Sequence, residues 1–89
     1  MARSLRTPGH LALMRVLVDA RKAVGITQQE LANRLQRPQS FVAKVERGER
    51  RLDVIEFAEW SLALKVDARD LLGPVVEEVS LDRSSTQAD

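Results

Sequence analysis

Eighty-nine residues suffice for one hydrophobic core and leave no room for a second. The chain has no cysteine, which excludes disulfides and thiolate metal sites, and its single histidine, His10, cannot hold a metal ion alone. The net charge of +1 conceals an asymmetry: residues 1–51 carry eleven Lys/Arg against four Asp/Glu, whereas residues 52–89 carry three against nine. No apolar run approaches the length of a membrane span and no signal peptide is visible, so a soluble cytoplasmic protein is expected.

Residues 1–7 read as a flexible arm, with Arg3 and Arg6 free to reach a phosphate. Thr7-Pro8 predicts the start of a first helix that runs to about Val24, turns Leu13, Leu17 and Ala20 inward and ends at Gly25. Thr27 followed by Glu30 has the spacing of a capping box, in which each side chain satisfies an N–H at the other's position. Leu31, Ala32 and Leu35 then recur at helical spacing, with Asn33 and Arg34 facing out. Pro38 halts this second helix, because the residue before a proline avoids the α region, and suits the first turn of a third. That third helix is predicted from about Pro38 to Arg47. Val42 and Val45 form its buried face, Gln39, Ser40, Ala43 and Lys44 its open face, and Gly48 a left-handed end. Two helices of about two turns each, with so short a link, must cross steeply.

Asp53 and Glu56 open a fourth helix with a second capping box. Its core stripe is Val54, Phe57, Ser61 and Leu64, with Trp60 in the core or at an interface edge. Ile55, Ala58 and Leu62 make a second apolar stripe, off the core face. Asp67 caps a short fifth helix through Leu72, which Gly73-Pro74 ends. In residues 74–82, Val75, Val76 and Val79 cover either their own domain or, with Ile55 and Leu62, a second copy of the chain. Residues 83–89 are polar and predicted to be disordered. No strand-like alternation precedes residue 74, so the expected fold class is all-α: a five-helix domain over residues 8–73 with a short C-terminal extension.

Thr27-Gln28-x-Glu30-Leu31-Ala32, followed by Ser40-Phe41-Val42-x-Lys44-Val45-Glu46-Arg47-Gly48, resembles the Cro/C1-type (XRE) family of helix-turn-helix DNA-binding domains. The likeness extends from about Leu13 through Leu72. It implies a phosphate grip at Gln28 and base-edge contacts from Gln39 and Ser40, the glutamine being suited to bond adenine bidentately. Lys44 would reach guanine or a phosphate. Ala43 would touch a thymine methyl or simply permit close approach. Arg37, Arg47, Arg50 and Arg51 are candidates for backbone contacts or ordinary surface charges, Arg50 lying in the loop where the family meets phosphate. Phe41 is expected as a wedge between helices rather than a sugar contact. Arg21 and Glu46 match positions that form an ion pair between the first and third helices, an architectural role. There are two departures: Gln36 stands at the turn position where the family has glycine, and Pro38 where it has a Ser/Thr cap.

The resemblance implies a homodimer that binds a pseudo-palindromic double-stranded operator, with half-sites about 34 Å apart, as a repressor or autoregulator of transcription. The basic N-terminal half suits phosphate neutralisation, and the acidic half should face away from DNA. A different class remains open: an antitoxin-like or other protein-interaction module whose acidic C-terminal half binds a partner protein. An enzyme is not expected, nor a cofactor or metal. One histidine, no cysteine and no clustered carboxylates leave nothing to serve as nucleophile, base or ligand.

Overall fold

The computed structural model describes residues 7–87 as five helices: α1 (Pro8–Val24), α2 (Gln28–Leu35), α3 (Gln39–Glu46), α4 (Val54–Leu64) and α5 (Ala68–Gln87). Arg3 and Arg6 of the expected arm lie outside the described residues. Thr7 belongs to the fold, because its side chain caps α1 by accepting the His10 N–H at 3.2 Å.

Both capping boxes are present. Thr27 accepts the Glu30 N–H at 3.0 Å while Glu30 accepts the Thr27 N–H at 2.8 Å. Asp53 and Glu56 repeat the arrangement at 2.7 and 3.0 Å. The other ends of the first four helices share one device, the Schellman turn. In each, one N–H bonds the carbonyl five residues back and the preceding N–H the carbonyl three residues back. The pairs are Ile26 to Arg21 with Gly25 to Lys22, Arg37 to Ala32 with Gln36 to Asn33, Glu49 to Lys44 with Gly48 to Val45, and Val66 to Ser61 with Lys65 to Leu62. The turn needs one left-handed residue. Gly25 and Gly48 supply it at φ 88° and 79°, whereas Gln36 and Lys65 adopt φ 57° and 59° despite their side chains. Each of the latter two costs about 1 kcal/mol, which the helix packing on either side must offset.

The core is Leu17, Leu31, Ala32, Val42, Val45, Trp60, Leu64 and Leu71, fringed by Ile26, Phe41 and Phe57. Trp60 is fully buried at its centre, in edge contact with Phe41 (ring centroids 5.9 Å apart), and its Nε1 finds no acceptor among the described residues. The core face of α4 therefore runs through Phe57, Trp60, Ser61 and Leu64. Val54 is not on it: at the first position of the helix it is 80% exposed, a correction to the expected stripe. Arg34 ties α2 to α4 by donating to the Ala63 carbonyl at 2.7 Å.

The largest departure is α5. The expected stop at Gly73-Pro74 does not occur, and the helix continues through Pro74 to Gln87, so residues 83–87 are helical rather than a disordered tail. An interior proline forfeits one backbone hydrogen bond and costs about 3 kcal/mol. The compensation is tertiary, because α5 lies along α1. Leu71 is buried in the core, and Val79 rests on Gly9, where a Cβ would come within 2.5 Å of its Cγ2. Gly9 is thus the notch that lets the two helices approach. Among the described residues no helix is long and apolar enough to cross a membrane.

Candidate nucleic-acid interface

The eight residues of α3 are wedged against α1 and α2, and this decides which of them remain accessible. Val42, Ala43 and Val45 are buried, while Gln39, Ser40 and Lys44 are exposed. Ala43 is the correction here. The sequence places it on the open face, but with 8% of its surface exposed it belongs to the packed side, since a single methyl group is too short to clear the neighbouring helices.

Gln39 is not free to turn. Its Nε2 donates to Gln28 Oε1 at 2.7 Å, and Gln28 Nε2 donates to Glu46 Oε1 at 2.8 Å. Glu46 also accepts from Arg21 Nε at 2.7 Å and Arg21 Nη2 at 3.2 Å, while Arg21 Nη1 donates to the Ile26 carbonyl at 2.8 Å. The expected ion pair between α1 and α3 is therefore in place, with side-chain exposures of only 12% and 5%. It has a second consequence. An ionised carboxylate only accepts, so Gln28 must turn its NH2 toward Glu46 and its oxygen toward Gln39. Gln39 must then donate, which leaves its oxygen and one N–H for another partner. Gln28 and Gln39, expected to act separately, form one relay anchored on Glu46.

A second cluster surrounds Phe41. The Arg37 guanidinium lies 3.9 Å from the ring centroid and that of Arg50 lies 5.0 Å from it. Glu56 holds Arg50 by two bonds, from Nη1 at 2.9 Å and Nη2 at 2.7 Å, and stands 3.7 Å from Arg37 Nη1. Arg50 Nη1 also donates to the Arg51 carbonyl. The Arg50 hydrogen bonds, reinforced by the Asp53 N–H of the capping box, hold the Glu56 carboxyl down at about 2, and the pairing with Glu56 raises Arg50 further. Sequence reasoning assigns Glu56 only to the capping box. Its ties to Arg37 and Arg50 have no local signal, since they join the turn after α2, the loop after α3 and the start of α4. Arg47 is more exposed and pairs with Glu49 at 3.1 Å.

The expected interface residues divide into two groups. Ile55 and Leu62 are 68% and 78% exposed and share the open face of α4 with Val54. Val76 is likewise exposed on α5. Val75 and Val79 instead turn partly toward their own domain. Val79 sits on Gly9, and Val75 lines an apolar groove of about 210 Å3 with Leu13, Leu52, Val54, Phe57 and Leu72.

Residues 17–71 match the helix-turn-helix family. An XRE-family like protein from Pseudomonas syringae pv. tomato is similar in structure (TM-score 0.73) at 51% identity, over 78% of this chain and 84% of that one. The restriction-modification controller protein C.AhdI from Aeromonas hydrophila is similar at 30% identity and TM-score 0.64, over 68% of this chain and 92% of its own. A mutant of a second restriction-modification controller, at 20% identity and TM-score 0.70, covers 76% of this chain and 91% of its own, and shows the shared fold alone. Comparison with curated proteins finds no match.

Proposed function

Because the chain belongs to the XRE-type helix-turn-helix family of DNA-binding transcription regulators, we propose that it acts as a homodimer on a pseudo-palindromic operator and represses a small operon, its own gene included. The observation that carries this reading is the oriented Gln39. Its amide, held by Gln28 and Glu46, keeps the acceptor and donor that adenine N6 and N7 require in the major groove. Ser40 and Lys44, exposed on the same helix, extend the reading edge, and Lys44 reaches guanine or a phosphate. Gln28 and the N-terminus of α2 grip the backbone, as do Arg37 and Arg50.

The open face of α4, with Val54, Ile55 and Leu62, is buried on a second copy, to which Val76 contributes. The two copies of α3 then address half-sites one DNA turn, about 34 Å, apart. Bound dimer excludes polymerase from an overlapping promoter. C.AhdI is a restriction-modification controller protein, and the 30% identity to it supports a regulator of that kind.

The test is a binding assay of the purified protein on its own upstream region over a salt series, beside an unrelated duplex. Specific binding with a steep negative log–log slope supports the reading. Gln39→Ala and Lys44→Ala should each cost about 1–3 kcal/mol on the cognate site and little on the unrelated one. Equal affinity for both duplexes refutes sequence-specific recognition. Weak binding that rises steeply when a partner protein is added favours the interaction-module class instead.

A further inference from the structure

Beside the reading edge, two cations lie against a single aromatic ring and share one anion. Arg37 and Arg50 lie 3.9 and 5.0 Å from the Phe41 centroid, and Phe41 directly follows Gln39 and Ser40 on α3. Glu56 takes two hydrogen bonds from Arg50 and approaches Arg37 to 3.7 Å, with its side chain only 14% exposed. With the Arg51 carbonyl added, three of the five Arg50 N–H donors are committed inside the protein. A DNA phosphate arriving at this pair meets a carboxylate already in the place it would take. From this arrangement we infer that Glu56 is an internal competitor for DNA phosphate, which occupies Arg50 and part of Arg37 and so sets the strength of backbone binding. The inference rests on the DNA-binding reading above.

Two guanidinium groups and one carboxylate leave a local charge of +1, and neutralising Glu56 raises it to +2. Each phosphate neutralised by a protein cation contributes about 0.9 to the log–log salt slope, equivalent to about eightfold in affinity at ~0.1 M salt. A glutamine at this position keeps the oxygen that accepts the Asp53 N–H, so the α4 capping box survives the change. Base contacts from Gln39, Ser40 and Lys44 are untouched, so cognate and unrelated duplexes should gain alike.

The experiment measures fluorescence anisotropy of labelled duplexes, cognate and unrelated, against the unaltered protein, Glu56→Gln and Glu59→Gln. Glu59 is an exposed acid on the same helix and controls for net charge. Glu56→Gln is expected to bind both duplexes about eightfold more tightly with a slope steeper by about 0.9. Glu59→Gln should change neither. The gain should vanish in an Arg37→Gln/Arg50→Gln background. An unchanged slope, a loss of affinity in Glu56→Gln, or an equal gain in Glu59→Gln overturns the inference while leaving DNA binding intact. Absence of salt-dependent binding by the unaltered protein removes the DNA reading and this inference together. As a second measurement, independent of any substitution's folding, side-chain N–H resonances of Arg50 in the unaltered protein should shift on addition of unrelated duplex. Resonances that stay in place overturn the competition.

Discussion

Replacing Glu46 by alanine should cost the protein a large share of its stability. The carboxylate is 5% exposed and accepts three hydrogen bonds, two from Arg21 and one from Gln28. Without it, the Arg21 guanidinium, 12% exposed, keeps its bond to the Ile26 carbonyl but loses its counter-charge. Removing one partner of a buried ion pair costs about 3–5 kcal/mol, because the remaining charge can neither return to water nor find another anion. A domain of this length has roughly 4–13 kcal/mol of total stability. Each kcal/mol moves the midpoint of a domain this size by about 4–8 °C, so the melting temperature should fall by about 12 °C or more. Trp60, the single tryptophan and fully buried, reports the transition by fluorescence beside circular dichroism. Replacing both partners, Arg21→Met with Glu46→Leu, should recover most of the loss, since no charge is then stranded. A Glu46→Ala midpoint within about 2 °C of the unaltered protein, under ~0.5 kcal/mol, would refute the reasoning. Well below the melting temperature the same variant should bind the cognate site more weakly, because Gln28 and therefore Gln39 lose their orientation.

Acid should act through Glu56. Its carboxyl titrates at about 2 in the folded protein against 4.5 ordinarily, so its contribution is fully present above about pH 4.5 and is lost as pH falls toward 2. Urea midpoints across that window should decline less steeply in Glu56→Gln; parallel declines would contradict the assignment. Ile55→Glu with Leu62→Glu should abolish the dimer in sedimentation while leaving helical content unchanged, because both side chains are exposed on the single chain. A monomeric unaltered protein at micromolar concentration removes that proposal. Gly9→Ala gains up to about 1 kcal/mol of helix propensity, yet its new Cβ would lie 2.5 Å from Val79 Cγ2 and overpacking there costs about 1–3 kcal/mol, so a net loss of up to about 2 kcal/mol is expected. Val79→Ala in the same chain should relieve it, and a more stable Gly9→Ala would mean that α5 does not pack there.

The likeness to the helix-turn-helix family, the four N-terminal helices and both capping boxes were legible in the residues because their chemistry is local. A Thr27–Glu30 or Asp53–Glu56 pair acts across one helical turn, and an apolar stripe such as Leu31, Ala32 and Leu35 repeats with the helix that buries it. At Gln36 the residues marked only a departure from the family's glycine, and the left-handed form of the turn is set by the structure. Of the expected α4 stripe, Phe57, Ser61 and Leu64 do face the core beside Trp60, whereas Val54, at the first position of the helix, stands beyond it. At Pro74 local chemistry pointed the wrong way. Leu71, Val75 and Val79 do recur at helical spacing across the proline, but that stripe prevails over Gly73-Pro74 only because α1 offers a surface notched at Gly9. The Arg21–Glu46 pair, 25 residues apart, was expected only through the family resemblance. The other partnerships between distant elements had no counterpart in the residue order: Glu46 also takes Gln28, 18 residues away, and Glu56 holds Arg50 and approaches Arg37 beside Phe41. A carboxylate's neighbours in space, and hence whether it caps, braces or competes, depend on how the helices cross, and crossing is set by packing the whole core at once.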